Sequence, residues 1–167
     1  TAYEIASCLV GSEMCIRDSI MADQMKATAS RLYSEIGVET PNLKRMKENG
    51  VQFENTVTPH PLCVPARTSV MSSKYPHTTG CRRNETLMPN NENHIFKVWK
   101  NEGYKIGLIG KNHCFETEED LNLFDHLDEF THSGRNGNRA KMEKGAFSVT
   151  DSPLESYDSH IIADETK

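Results

Sequence analysis

The sequence predicts an α/β fold in which helices pack in layers against a mostly parallel sheet. Stretches with apolar residues at helical spacing alternate with short apolar stretches typical of strands. Asp23, Cys63 and Lys111 each follow a predicted strand, and open α/β sheets gather functional residues at the carboxyl ends of their strands. The length of 167 residues fits one domain, and no internal domain boundary is indicated.

The first nineteen residues share no periodicity with the rest of the chain. Their stretch CLVGSEMCIRDS resembles a string that recurs in unrelated proteins as translated sequencing-adapter DNA. We therefore expect residues 1–19 to be a sequence artefact and residues 20–167 to form the fold. A disordered leader is the alternative. The short apolar run Ile20-Met21-Ala22, directly before Asp23, is better explained as the remnant of a strand cut by the join.

Thr40 and Pro41 are typical of a helix start, as the N-cap and the first helical position. Leu43 and Met46 share one face of this helix, and Gly50 can close it. The sequence thus predicts one short helix that ends near residue 49.

Val51, Phe53 and Val57 alternate with polar residues, which predicts a half-buried strand. A proline-rich turn follows, and residues 67–73 can then be helical. Cys63 is therefore expected just before a helix N-terminus.

Ile95, Val98 and Trp99 share a face of a further predicted helix, which Gly103 ends. Residues 105–110 then have the pattern of a strand. We expect Trp99 to be a core residue.

Beyond residue 115 the pattern weakens. Residues 116–120 are an acidic run, which we expect to be solvated, as is Asp125. Residues 133–139 form a loop rich in glycine and asparagine, and residues 151–167 are polar apart from Ile161-Ile162. Because no closing element follows, we expect the fold to be incomplete.

Charge and hydropathy exclude two classes of partner. Lys and Arg number 19 against 24 Asp and Glu, a net charge of -5, and no basic stripe that would favour nucleic acid occurs. No apolar run reaches the roughly 18–20 residues of a membrane-spanning helix. The first ten residues lack the basic start of a secretory signal, so the compartment stays open. The five cysteines fit neither a disulfide framework nor a zinc site.

The sharpest chemical feature is the stretch Cys63-Val64-Pro65-Ala66-Arg67. A lone cysteine is most often a small buried thiol. A helix N-terminus, however, offers unpaired N–H groups and a positive dipole, and Arg67 adds a cation one turn away, so anions are attracted there. The same setting would suit a nucleophilic cysteine. The longer phosphate loop of cysteine phosphatases is absent.

This pentapeptide resembles the Cys/Ser-x-Pro/Ala-x-Arg signature of the type I, formylglycine-dependent sulfatases. Three further stretches resemble the same family in the same order: Asp23, residues 40–43 and residues 103–113. The resemblance implies an alkaline-phosphatase-like three-layer sandwich with a mostly parallel sheet. Residues 20–167 would then be the N-terminal part of a sulfatase catalytic domain, truncated at both ends.

The resemblance also implies a mechanism. A formylglycine-generating enzyme would oxidise Cys63, and the aldehyde hydrate would attack the sulfur of a sulfate ester. Arg67 would steady the hydrate, Lys111 would span the hydrate and a sulfate oxygen, and His113 would assist release of sulfate. Taken alone, Lys111 and His113 would be a surface cation and a loop histidine, and the remaining histidines are background.

By the same resemblance Asp23, Gln24 and the modified residue 63 would bind Ca²⁺, with Mg²⁺ or Mn²⁺ as alternatives. The family often has a second acidic residue where this chain has Gln24, and an aromatic where it has Asn112. Nothing after His113 matches the remaining metal and sulfate ligands of the family. We therefore expect the chain as given to be inactive.

The resemblance leaves three functions open. The first is a sulfatase acting on sulfate monoesters of a carbohydrate or an aryl alcohol. The second is a phosphonate monoester hydrolase or phosphodiesterase of the same superfamily, whose members also resemble this chain at Asp23-Gln24. The third is a non-catalytic, anion-binding fragment. Cys81 and Cys114 are expected to be reduced thiols with no assigned role.

Overall fold

A computed structural model describes residues 17–130, 155 and 158–166. This part of the chain divides after Glu54 into two compact units. Most of residues 1–19 and the whole of the loop 133–139 lie outside the described residues, so the predictions made for them stay predictions. None of the described helices is both long enough and apolar enough to cross a membrane.

The described residues of the first unit, 17–54, contain one short 3₁₀ helix, Ala27–Ala29, and one α-helix, Pro41–Glu48 (α1). The helix predicted to end near residue 49 is confirmed. Thr40 is its N-cap residue, but its side chain makes no capping hydrogen bond. The Thr40 hydroxyl lies 2.6 Å from the Ser30 hydroxyl instead, next to an isolated parallel bridge between Ser30 and Val38.

Two predicted strands are absent from the described residues. Residues 20–22 and 51–57 have no regular secondary structure, and Val51, Phe53 and Val57 are 79%, 74% and 90% exposed. The prediction of a half-buried strand was therefore wrong for this structure. A strand exists only through pairing, and the sheet of the described chain contains neither segment. Of the three residues predicted to follow strands, only Lys111 does so.

The second unit alternates helices with two parallel strands, which confirms the α/β fold class with a parallel sheet. Strands β1 (Gly107–Gly110) and β2 (His126–Glu129) pair in register from Gly107 with His126 to Gly110 with Glu129. The helices, in chain order, are α2 (Cys63–Ser72), α3 (Pro76–Thr79), α4 (Ile95–Asn101), α5 (Glu118–Leu121) and α6 (Asp158–Glu165).

The core of the second unit is largely aromatic. Phe96 of α4 packs edge-on against Phe115 and Phe124, with ring centroids 5.7 and 5.1 Å apart. Edge-to-face pairs of this kind add to the stability gained from burial alone. Trp99 packs against the same cluster, which confirms its prediction as a core residue. Phe115 is the last residue of the loop that follows β1, so its burial in the core anchors that loop.

Helix α2 begins at Cys63, four residues earlier than predicted. Pro65 falls in its first turn, where the missing N–H costs no hydrogen bond. Helix α4 is confirmed, and Gly103 follows it with φ +82°. Strand β1 is shorter than the predicted stretch 105–110. Strand β2 was not predicted, because only Leu127 of its four residues is apolar.

Candidate active site

Cys63 and Lys111 meet although they lie far apart in sequence. Cys63 is the first residue of α2, and Lys111 is the first residue after β1. The Lys111 ammonium donates to the Cys63 thiol, with Nζ and Sγ 3.4 Å apart. Both side chains are half-buried. A cation is thus held beside the side chain that the sequence singled out as the nucleophile.

Arg67 ties α2 to the loop that carries Lys111. Its side chain lies one turn beyond Cys63, and the residue is only 8% exposed. The Nη1 group donates to the backbone carbonyl of Lys111 over 2.7 Å. Hydrogen bonds from a charged donor are about twice as strong as neutral ones. This bond therefore fixes the backbone from which the Lys111 side chain extends.

Asn112 holds the loop 111–115 in shape. Its side-chain oxygen accepts from the backbone N–H groups of Cys114 and Phe115, at 3.1 and 3.0 Å. Its side-chain nitrogen donates to the Phe115 carbonyl at 2.7 Å. Asn112 is buried, so these bonds satisfy polar groups that water cannot reach. The loop is closed by one side chain and anchored in the core through Phe115.

Two residues of this segment have a positive φ. Gly110 has φ +104° and His113 has φ +56°. A Cβ at Gly110 would lie 3.2 Å from Cδ1 of Ile162 in α6, so both the backbone and the packing favour glycine. His113 adopts a conformation that is uncommon for residues other than glycine. It is half-buried on the same loop, two residues beyond Lys111.

The start of α2 is capped from outside the helix. Leu62, at the N-cap, supplies no side-chain hydrogen bond. The backbone N–H of Val64 donates instead to the side-chain oxygen of Asn84, over 3.2 Å. The first turn of α2 therefore depends on a residue from the segment between α3 and α4.

The electrostatic environment of Cys63 is positive. The helix N-terminus carries the positive end of the α2 dipole, and Lys111 adds a full charge within hydrogen-bonding distance.

Burial raises the pKa of the Cys114 thiol to about 12, with the Arg67 charge acting in the opposite direction. Cys81 and Cys114 are both buried free thiols, as predicted. Cys63 is the most accessible of the three cysteines in the described chain.

Comparison with known proteins identifies the family. Residues 19–166 match the sulfatase family. The chain belongs to the sulfatase family.

An ulvan-active sulfatase of Formosa agariphila is 35% identical over 56% of this chain and 18% of its own length. An arylsulfatase of Clostridium perfringens is 31% identical over 70% of this chain and 25% of its own length. The solved structure of BT4656 in complex with its substrate D-glucosamine-2-N,6-O-disulfate superposes with a TM-score of 0.54. It is 26% identical and covers 60% of this chain and 20% of that one.

These likenesses support the alkaline-phosphatase-like fold that the resemblance implies. The chain spans about a fifth to a quarter of the length of these sulfatases. Their names and substrates concern sulfate esters, so nothing in the comparisons favours the phosphonate or phosphodiester alternative.

The predicted metal ligands fall in different units. Asp23 and Gln24 lie in a turn of the first unit, where Gln24 has φ +47°, whereas Cys63 belongs to the second unit. Residues 17–130 and 158–166 contain no group of three His, Cys, Asp or Glu side chains that could hold a metal ion. The metal site of this sulfatase-family chain therefore stays a prediction.

One prediction about the acidic run 116–120 was wrong. Asp120 is buried, although this run was expected to be solvated. Its carboxylate lies 3.1 Å from the Lys97 ammonium and 3.3 Å from the buried His94 ring. Lys97 compensates the charge and His94 adds a hydrogen bond, which makes burial of Asp120 possible. Burial also lowers the pKa of His94, while the hydrogen bond to Asp120 acts in the opposite direction.

Sequence reasoning missed the two asparagines that hold the site. Asn112 follows glycine and lysine in a loop, where an asparagine side chain commonly bonds to backbone N–H groups further along. That signal could have identified it. Asn84 has no such local signal, because its partner Val64 lies in another segment.

Proposed function

We propose that this chain carries the nucleophile of a hydrolase that cleaves sulfate monoesters, and that Cys63 is the residue converted to formylglycine. The observation that carries the proposal is the 3.4 Å contact between Lys111 Nζ and Cys63 Sγ at the start of α2. Negative charge grows on the sulfate oxygens during ester cleavage. A cation fixed beside the attacking side chain stabilises that charge without reorganisation.

Each residue near Cys63 has a distinct role in the proposal. Arg67 holds the Lys111 backbone through its 2.7 Å bond and so aims the ammonium at residue 63. Lys111 binds a sulfate oxygen and steadies the ester against the nucleophile. His113, on the same loop, takes and returns a proton at the hydroxyl of residue 63. Formylglycine, once formed, supplies an aldehyde hydrate whose hydroxyl can attack sulfur.

Asp23, Gln24 and the modified residue 63 are the proposed ligands of Ca²⁺, with Mg²⁺ or Mn²⁺ as alternatives. Their donor chemistry fits, because a carboxylate and an amide carbonyl are the hard oxygens that Ca²⁺ prefers. The ion would supply Lewis-acid polarisation of the reacting oxygens. Three ligands fall short of the usual six to eight oxygens. We therefore expect the 167 residues alone to show no turnover.

The substrate is proposed to be a sulfated carbohydrate. Support comes from the ulvan-active sulfatase of Formosa agariphila and from the complex of BT4656 with D-glucosamine-2-N,6-O-disulfate. An aryl sulfate is the second candidate, supported by the arylsulfatase of Clostridium perfringens.

The decisive experiment asks whether Cys63 can be oxidised to the aldehyde. A peptide of residues 48–67 is treated with formylglycine-generating enzyme and weighed by mass spectrometry. We expect the mass loss of thiol-to-aldehyde conversion, and a peptide with Arg67→Ala should convert far less. An unchanged mass, with a known substrate peptide converted in parallel, would leave Cys63 an ordinary thiol and refute the proposal.

A further inference from the structure

The first turn of α2 contains a buried N–H that the helix itself cannot satisfy. The first four N–H groups of any helix lack a partner within it, and the N-cap residue Leu62 offers no side-chain acceptor. Val64 is fully buried, at 0% exposure. A buried N–H without an acceptor destabilises its surroundings. The Asn84 side-chain oxygen, 3.2 Å away, supplies the acceptor.

The segment that presents Asn84 is anchored at both of its ends. Cys81 is fully buried, and its thiol donates to the Leu87 carbonyl over 3.3 Å, which closes the segment on itself. The Met88 N–H then donates to the Cys114 carbonyl over 3.2 Å. Cys114 belongs to the loop 111–115 that carries Lys111. The segment 81–88 therefore contacts both parts of the site.

We propose that Asn84 is a positioning residue that keeps the Cys63 side chain next to the Lys111 ammonium. The Asn84 side-chain oxygen accepts from the Val64 N–H, one residue after Cys63. The Met88 N–H attaches the same segment to the loop that carries Lys111. The bond from Arg67 to the Lys111 carbonyl also joins α2 to this loop. The catalytic role of this placement rests on the function proposed above, but the placement of Cys63 next to Lys111 does not depend on that function.

The first test measures amide hydrogen exchange at Val64 by NMR in the 167-residue chain. Asn84→Ala removes the acceptor, and we expect Val64 to exchange about fivefold faster, the effect typical of losing a helix-capping side chain. Asn84→Asp keeps an acceptor oxygen and should restore protection to within about twofold. The matched control is Asn101→Ala, an exposed asparagine at the end of α4.

The second test reports whether the Lys111 amine and the Cys63 thiol lie close enough to react with one reagent molecule. o-Phthalaldehyde condenses with an amine and an adjacent thiol, with loss of water, to a fluorescent isoindole. The signal assigned to this pair is the part that disappears in both Cys63→Ser and Lys111→Arg chains. We expect Asn84→Ala to lower that part severalfold, Asn84→Asp to restore it and Asn101→Ala to leave it unchanged.

Three results would overturn the proposal. The first is equal Val64 exchange, or equal isoindole yield, with and without Asn84→Ala. The second is failure of Asn84→Asp to restore both signals. The third is faster exchange in α4 to the same degree as in α2, which would make Asn84 a support of the whole unit. Neither test requires formylglycine or turnover. A failed conversion of Cys63 would therefore refute the proposed function but not the role of Asn84 in placing Cys63 next to Lys111.

Discussion

The bond between Arg67 and the Lys111 carbonyl should contribute measurably to stability. Arg67→Met keeps a long apolar stem in the buried position but removes the guanidinium that donates over 2.7 Å. A hydrogen bond from a charged group contributes about 1.5–3 kcal/mol, and a polar partner left without its donor costs a similar amount. Removal of the buried charge offsets part of this loss. We expect the free energy of unfolding to fall by about 2 kcal/mol.

Urea denaturation followed by the fluorescence of Trp99 measures this change. Trp99 is the only tryptophan of the chain and packs against the core of the second unit, so it reports unfolding of that unit. The control is Arg82→Met, an exposed arginine of the same unit, which should change the unfolding free energy by less than about 0.5 kcal/mol. Equal effects of the two substitutions would show that the contact with Lys111 contributes nothing.

Three further predictions concern thiols, pH and backbone packing. In the native chain, iodoacetamide followed by mass spectrometry should label Cys63 well before Cys114, because burial raises the pKa of Cys114 to about 12. Burial lowers the pKa of His94 from 6.5, so the unfolded chain binds more protons below that pH. The unfolding free energy should fall as the pH drops from about 7 to about 5, and His94→Asn should flatten that slope by at most about 1.4 kcal/mol per pH unit. Gly37→Ala should destabilise the first unit by about 1–3 kcal/mol in denaturation followed by circular dichroism. Its Cβ would collide with the Ser30 carbonyl carbon.

Each of these predictions has a control that separates it from a general effect. The denatured chain should label Cys63 and Cys114 at similar rates, and equal native rates would contradict the burial of Cys114. His77→Asn makes the same substitution at an exposed histidine and is the control. A pH slope that is equal in the native and the His94→Asn chains would contradict the lowered pKa of His94. Gly107→Ala places its Cβ 3.9 Å from the nearest atom and should be tolerated. An equally tolerated Gly37→Ala would contradict the close approach.

Helices were predictable from the sequence because local signals determine where they begin and end. Pro41 starts α1 because its fixed φ suits the first turn and its missing N–H is not needed there. Gly103 follows α4 with φ +82°, a conformation that glycine adopts without strain. Such signals act within a few residues, so no knowledge of the remaining fold is required to use them.

Strands were poorly predictable because pairing is decided elsewhere in the chain. Val51, Phe53 and Val57 alternate as a half-buried strand should, but the described sheet does not include them, and they are exposed. The segment His126–Glu129 lacks that alternation yet forms β2, because the edge of β1 supplies its hydrogen bonds. Alternation describes which face would be buried, and it does not specify the partner strand.

The residues of the candidate site also differ in whether local sequence or tertiary contacts determine their role. Cys63 and Arg67 lie one helical turn apart, so their shared face follows from helix geometry alone. The sequence placed Lys111 after a predicted strand, but only the resemblance linked it to Cys63, because the contacts that bring the two together span segments far apart in sequence. Asn84 was missed because its acceptor role exists only once the segment 81–88 has folded against both α2 and the loop of Lys111. A residue whose role arises from tertiary structure leaves no periodic or local pattern, so the tests of Asn84 probe a contact that the sequence alone does not reveal.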